Sequence, residues 1–163
     1  MQSFELNDTV LYGNNGVCRI DAVETRADGD YYILVPVHKD RTKLMVPLRN
    51  EMLVGRMRAI PSKSDAAGYI REAARKDARW ISDSTARKEH AKKVLHNGTE
   101  VELLLLARSF ALHKQKMLEA GKKTSSSDNG ILRSAQDRVR DEFSIVFDIA
   151  PDEVDDFIAL QAV

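Results

Sequence analysis

The period of the apolar residues changes at Pro61, and this change constrains the fold more than any other feature of the sequence. Before it, apolar residues come in short β-branched or aromatic runs; after it, they recur at the 3.6-residue spacing of a helix. No single repeating architecture accommodates both patterns, so the chain reads as α+β, with a small, strongly bent sheet or partial barrel over residues 1–60 and an α-helical bundle over 61–163. The strand-like runs are Thr9–Tyr12, Val17–Val23, Tyr31–Val37 and Lys43–Leu48. Between them lie Gly13-Asn14-Asn15-Gly16, Asp28-Gly29-Asp30 and His38-Lys39-Asp40-Arg41, which are turn-forming sequences. Pro36 and Pro47 cannot donate to a strand ladder and belong at strand ends or edges.

In the second part, Ser64 is the expected N-cap of a helix with Ala66, Tyr69, Ile70, Ala73 and Ala74 on one stripe. Ser82 or Ser84 is expected to cap a short basic helix that stops at Asn97-Gly98. Thr99 and Glu102 have the spacing of a capping box. The helix it opens is apolar on two sides: Val101, Leu104, Leu105 and Leu112 on one, Leu103, Leu106, Phe110 and Met117 on the other. Such a helix sits in the middle of its neighbours. Gly121 ends it, and Thr124–Ser127 reads as a polar loop. Ile131, Leu132, Ala135, Val139, Phe143, Val146 and Phe147 form the next stripe. Pro151 opens a last short helix carrying Val154, Phe157 and Ile158.

The 163 residues are 43% hydrophobic, enough for a packed core. The longest apolar run, Tyr31–Val37, is far short of the ~20 residues that span a bilayer. No signal peptide is expected from the acidic N-terminal stretch, and the expected location is the cytoplasm. The formal net charge of zero hides an asymmetry: residues 61–123 carry net +6 and residues 124–163 net −6. The basic middle can face a polyanion, or simply be a set of solvated helix faces.

Catalysis needs convergent groups, and the sequence offers few. A single cysteine, Cys18, rules out a disulfide framework and a multi-cysteine zinc site, and its strand position suits a buried structural thiol. His38, His90, His96 and His113 have no partner at metal-binding spacing. Gly13–Gly16 lacks the Lys-Ser/Thr ending of a phosphate loop and reads as a hairpin turn. The acidic group Asp152, Glu153, Asp155 and Asp156 suits a helix start. The expectation is therefore no enzyme, no metal, no cofactor, no small-molecule substrate and no membrane partner.

Two features point to binding instead. Arg79, Arg87, Lys88, Lys92 and Lys93 surround the only tryptophan, Trp80, and Lys88 and Lys92 share a helix face. Cations beside an aromatic can hold a nucleic-acid backbone while the ring wedges or stacks; alternatively, Trp80 anchors the helical core. The second feature is the strand edge near Met45-Val46-Pro47, which can accept a partner strand.

The run Asn7-Asp8-Thr9-Val10-Leu11-Tyr12-Gly13-Asn14-Asn15-Gly16-Val17-Cys18-Arg19-Ile20 resembles the opening of the CarD/CdnL family of bacterial transcription regulators. Tyr31-Tyr32-Ile33-Leu34, Met45-Val46-Pro47 and Gly55-Arg56-Met57-Arg58 continue the resemblance, followed in the family's order by Trp80, a basic helix, a long apolar helix and Gly121-Lys122-Lys123. It implies an N-terminal Tudor-like domain that binds the β subunit of RNA polymerase. It also implies a helical domain that touches promoter DNA weakly, through backbone and minor groove, and stabilises the open complex. On that resemblance Arg26, Ile33, Lys43, Met45, Val46 and Pro47 are the polymerase-binding candidates. Arg79, Trp80, Arg87, Lys88, Lys92 and Lys93 are the DNA-binding candidates. The chain departs from the family in having Asn7-Asp8 where Gly-Asp is usual, and Ile81-Ser82-Asp83 where basic residues follow the tryptophan. The alternative function is a stand-alone nucleic-acid-binding module, RNA among its candidate ligands, that acts without polymerase.

Overall fold

The computed structural model describes residues 4–37 and 42–162. The expected loop His38–Arg41, with His38, lies outside the described residues. The chain divides into two compact units, Met1–Ile60 and Pro61–Val163.

The first unit is an antiparallel sheet of β1 (Thr9–Tyr12), β2 (Val17–Arg26), β3 (Gly29–Pro36), β4 (Leu44–Pro47) and β5 (Met57–Ala59), in the order β4-β3-β2-β1-β5. The Gly13–Gly16 turn joins β1 to β2, with positive φ at both glycines and Tyr12 N–H donating to the Gly16 carbonyl at 2.9 Å. β2 runs three residues past the expected Val23. It pairs with β3 down to Arg26 opposite Gly29, leaving only Ala27 and Asp28 to turn the chain. The register shifts between Ile20 and Ala22, a bulge that bends the long strand pair. Pro36 and Pro47 each end a strand, where the missing N–H costs no ladder bond.

Alternation along the strands sends Val10, Cys18, Ile20, Tyr32, Leu34 and Val46 into one core, joined by Val54 and Met57. Cys18 is wholly buried there, as a structural thiol should be. Two elements escaped the sequence reading. One is the single helical turn α1 (Glu51–Val54), capped by the Asn50 side chain, which accepts from Leu53 N–H at 3.1 Å. The other is β5, whose three residues are too few to show a period.

The second unit is helical: α2 (Lys63–Arg75), α3 (Ser84–Asn97), α4 (Glu100–Glu119), α5 (Ser126–Phe147) and α6 (Val154–Gln161), the last preceded by a short 3-10 turn over Pro151–Glu153. Two caps differ from expectation, and a third shortens an expected loop. Ser62, not Ser64, caps α2, its hydroxyl accepting from Asp65 N–H at 3.1 Å. Asp83 caps α3 in place of either serine, accepting from Ala86 N–H at 2.9 Å. Ser125 caps α5, so the end of the expected Thr124–Ser127 loop is already helical. In each case several good cap residues stand close together, and the one that caps is the last with extended backbone before the helical turn. Thr99 and Glu102 form the capping box in both directions. α4 packs against α2, α3 and α5 and buries residues of both its stripes. Leu112, expected on one stripe, is exposed, because burial on α4 is concentrated before Ala111. α6 returns to α5 through a Phe147–Phe157 ring contact at 4.5 Å and an Arg140–Asp155 ion pair at 2.8 Å.

Candidate interaction surfaces

β4 is an edge strand, bonded on one side to β3 and open on the other among the described residues. Its register puts Met45 opposite Ile33 and Pro47 opposite Tyr31. Ile33 and Tyr31 lie in turn opposite Ala22 and Glu24 of β2. By alternation these residues share the face opposite the core cluster, with Arg26 at one end; Lys43 lies just before β4, outside the ladder. Four of the six polymerase-binding candidates, Arg26, Ile33, Met45 and Pro47, thus fall on one face. Val46 does not: it is 0% exposed and belongs to the core, so its share in docking is limited to its backbone. On this face Ile33 is buried at 4% exposed, while Met45, 42% exposed, stands out. Lys43 is exposed. Arg26 is exposed too and pairs with Glu24 at 3.1 Å.

The sequence reading did not mark Tyr31 on this face. Its hydroxyl donates to the Asp28 carboxylate at 2.6 Å, across the tight turn. This bond holds Asp28 below the usual carboxylate range and raises the Tyr31 hydroxyl above its ordinary value. Around the turn, Thr25, Arg26, Asp28, Asp30, Leu48 and Arg49 line a shallow polar cleft of about 380 Å³.

The second surface is organised differently. Trp80 lies in the extended segment between α2 and α3 and packs onto α4. Its ring stacks on His113 at 3.7 Å with planes 5° apart, and meets Phe110 edge-on at 5.0 Å. The Arg87 guanidinium sits over the indole, 4.5 Å from its centre.

Arg87 was expected among the exposed cations, and its geometry revises that. It is 9% exposed and forks onto Asp128 of α5, Nε to Oδ1 and Nη2 to Oδ2, both at 3.1 Å. Its remaining nitrogen donates to the carbonyls of Ile81 and Ser82 at 3.0 and 3.1 Å. The reason is its helix position: α3 buries Arg87, Ala91 and Val94, one stripe at helical spacing, and leaves Lys88, Lys92 and Lys93 in water. Arg79 is also exposed, its carbonyl held by Ser109 Oγ at 3.0 Å. The structure therefore separates the expected set into four solvent-facing cations and one aromatic–cation pair, a buried Arg87 over a half-buried Trp80. Asp128 and His113, the partners of that pair, carry no sequence signal. Asp128 looks like an ordinary first-turn acid behind Ser125, and His113 like one more helix histidine.

Among the described residues no group of His, Cys, Asp or Glu side chains could hold a metal ion. Among them, too, no helix is long and apolar enough to cross a membrane.

A small antiparallel sheet with an unpaired edge and an apolar row beside it defines a β module suited to docking on another protein. Residues 4–60 match the CarD-like/TRCF RID domain family. The N-terminal unit belongs to that family, an RNA polymerase-interacting domain, and the chain has a transcription-related role. A search of curated proteins finds no match to this chain.

Proposed function

We propose that this protein is a cytoplasmic, non-enzymatic transcription regulator of the CarD/CdnL type. Its β unit docks on the β subunit of RNA polymerase, its helical unit touches promoter DNA without sequence readout, and the outcome is a change in open-complex stability. It requires no cofactor. The observation that carries the reading is the open β4 edge, with Met45 half exposed, on a domain of the polymerase-interacting family. Docking by strand addition draws affinity from main-chain bonds and specificity from alternate side chains, here Met45 and Pro47. Tethering on polymerase then raises the local concentration of the helical unit at the promoter, so weak phosphate contacts from Arg79, Lys88, Lys92 and Lys93 suffice.

The test is retention of the purified chain on the N-terminal lobe of the polymerase β subunit. Met45→Ala and Pro47→Ala, both folded by circular dichroism, should each weaken retention by roughly tenfold, as loss of an interface anchor does. Undiminished retention of both variants defeats this docking face. The exposed lysines of α3 keep one competing reading in play, a nucleic-acid module independent of polymerase. That reading predicts salt-sensitive RNA binding by the chain alone, with no retention on the β subunit.

A further inference from the structure

The eight residues Lys76–Asp83 between α2 and α3 form neither helix nor strand. Their carbonyls are nonetheless gripped by side chains. Arg108 of α4 donates to the Lys76 carbonyl, Ser109 to that of Arg79, and Arg87 to those of Ile81 and Ser82. Arg87 commits four of its five N–H donors to this strap and to Asp128, leaving almost nothing for a phosphate. The same guanidinium lies over Trp80. A parallel imidazole already fills one face of the indole, so the guanidinium covers the other. A ring and a guanidinium thus sandwich the half-buried Trp80, which leaves its rim as the part open to a ligand.

We propose that Arg87, Asp128 and His113 form a clamp that holds Trp80 for edge-on contact with nucleic acid, with Arg87 a positioning residue rather than a phosphate ligand. The proposal rests on the reading that the helical unit meets DNA. A covered indole is a poor platform for base stacking, which needs a free ring face. Its rigid rim suits a wedge at a groove or at the end of a base stack. The clamp supplies rigidity that an unstructured strap lacks, because every bond in it is fixed by α3, α4 or α5.

The experiment uses the full chain, whose single tryptophan makes its fluorescence a direct report on Trp80. Asp128→Asn keeps shape and removes charge; Arg87→Lys keeps charge and removes the fork. The clamp predicts that both variants shift Trp80 emission to longer wavelength and raise its quenching by acrylamide, with helix content retained. Binding to a DNA duplex carrying a short unpaired bubble should fall about five- to tenfold in Asp128→Asn. The slope of log K against log salt should stay unchanged, since no phosphate contact is lost. A phosphate-binding Arg87 predicts the opposite: freed by Asp128→Asn, it would tighten binding and steepen the slope by about one. That result, or an unaltered emission spectrum in both variants, overturns the proposal. Lys88→Ala is the comparator, expected to flatten the slope by about one and leave emission alone. If the wild-type chain leaves the bubble duplex unbound, the DNA reading and the clamp's purpose fall together, while emission still reports whether the clamp exists.

Discussion

The two units use their polar and apolar groups in opposite ways. In the β unit, alternation puts Val46 inside and leaves Met45 outside, so the side chain open to a partner is apolar and sits on a strand edge unpaired among the described residues. In the helical unit, the conspicuous aromatic and one of its cations turn inward, and Arg87 reaches 41 residues along the chain to pair with Asp128. A motif read as a surface is thus partly an internal fastening, whereas the strand read as an edge, Met45-Val46-Pro47, does lie at the edge of its sheet. The physical lesson concerns periods. A strand has two faces, so its sequence nearly fixes which residue points out. A helix has many angular positions, and a long side chain such as arginine is drawn in wherever a buried carboxylate waits.

The largest effect expected from breaking this contrast is on stability. Arg87→Ala strands the Asp128 carboxylate in a buried site, and losing one partner of a buried pair costs about 3–5 kcal/mol. Urea unfolding followed by circular dichroism should show that loss. A cost below about 1 kcal/mol would mean the pair is screened by water and the contrast with the β unit is false.

A smaller effect sharpens the other side. Val46→Ala removes methyl groups from a fully buried position and should cost about 2 kcal/mol, while Met45→Ala should cost well under 1 kcal/mol. In polymerase retention the order should reverse, with Met45 the sensitive position once both variants are held well below their melting temperatures. Equal sensitivity of the two in both assays would remove the distinction between core and edge on β4.

The smallest effect lies at the Asp28–Tyr31 bond. Asp28 is held low and Tyr31 raised by the same contact. The Asp28 contribution to stability is fully present above the ordinary carboxylate range and fades as pH falls through the lowered value. The Tyr31 contribution is present below the ordinary phenol range and disappears as pH rises through the raised one. Because both groups are exposed, the stability change should be slight, and NMR titration of the Tyr31 ring is the suitable measurement. Asp28→Asn should move the Tyr31 titration back toward its ordinary value; an unmoved titration would show that the turn contact is not made in solution.

Much of this was legible in the residues. The break at Pro61 divided the chain where its two units divide. Thr9–Tyr12, the Gly13–Gly16 turn, the Thr99 capping box and the placing of Pro36 and Pro47 at strand ends follow from local rules of φ, donor count and spacing. These are properties of a few adjacent residues, and adjacent residues are what a sequence displays. The tertiary structure decided what distance hides: that a three-residue β5 forms the other edge of the sheet beside β1, and that Arg87, Trp80, His113 and Asp128 meet. A buried carboxylate is recognisable only by what surrounds it. For Asp128 those surroundings come from α3, which the local sequence around Ser125 gives no means of reading.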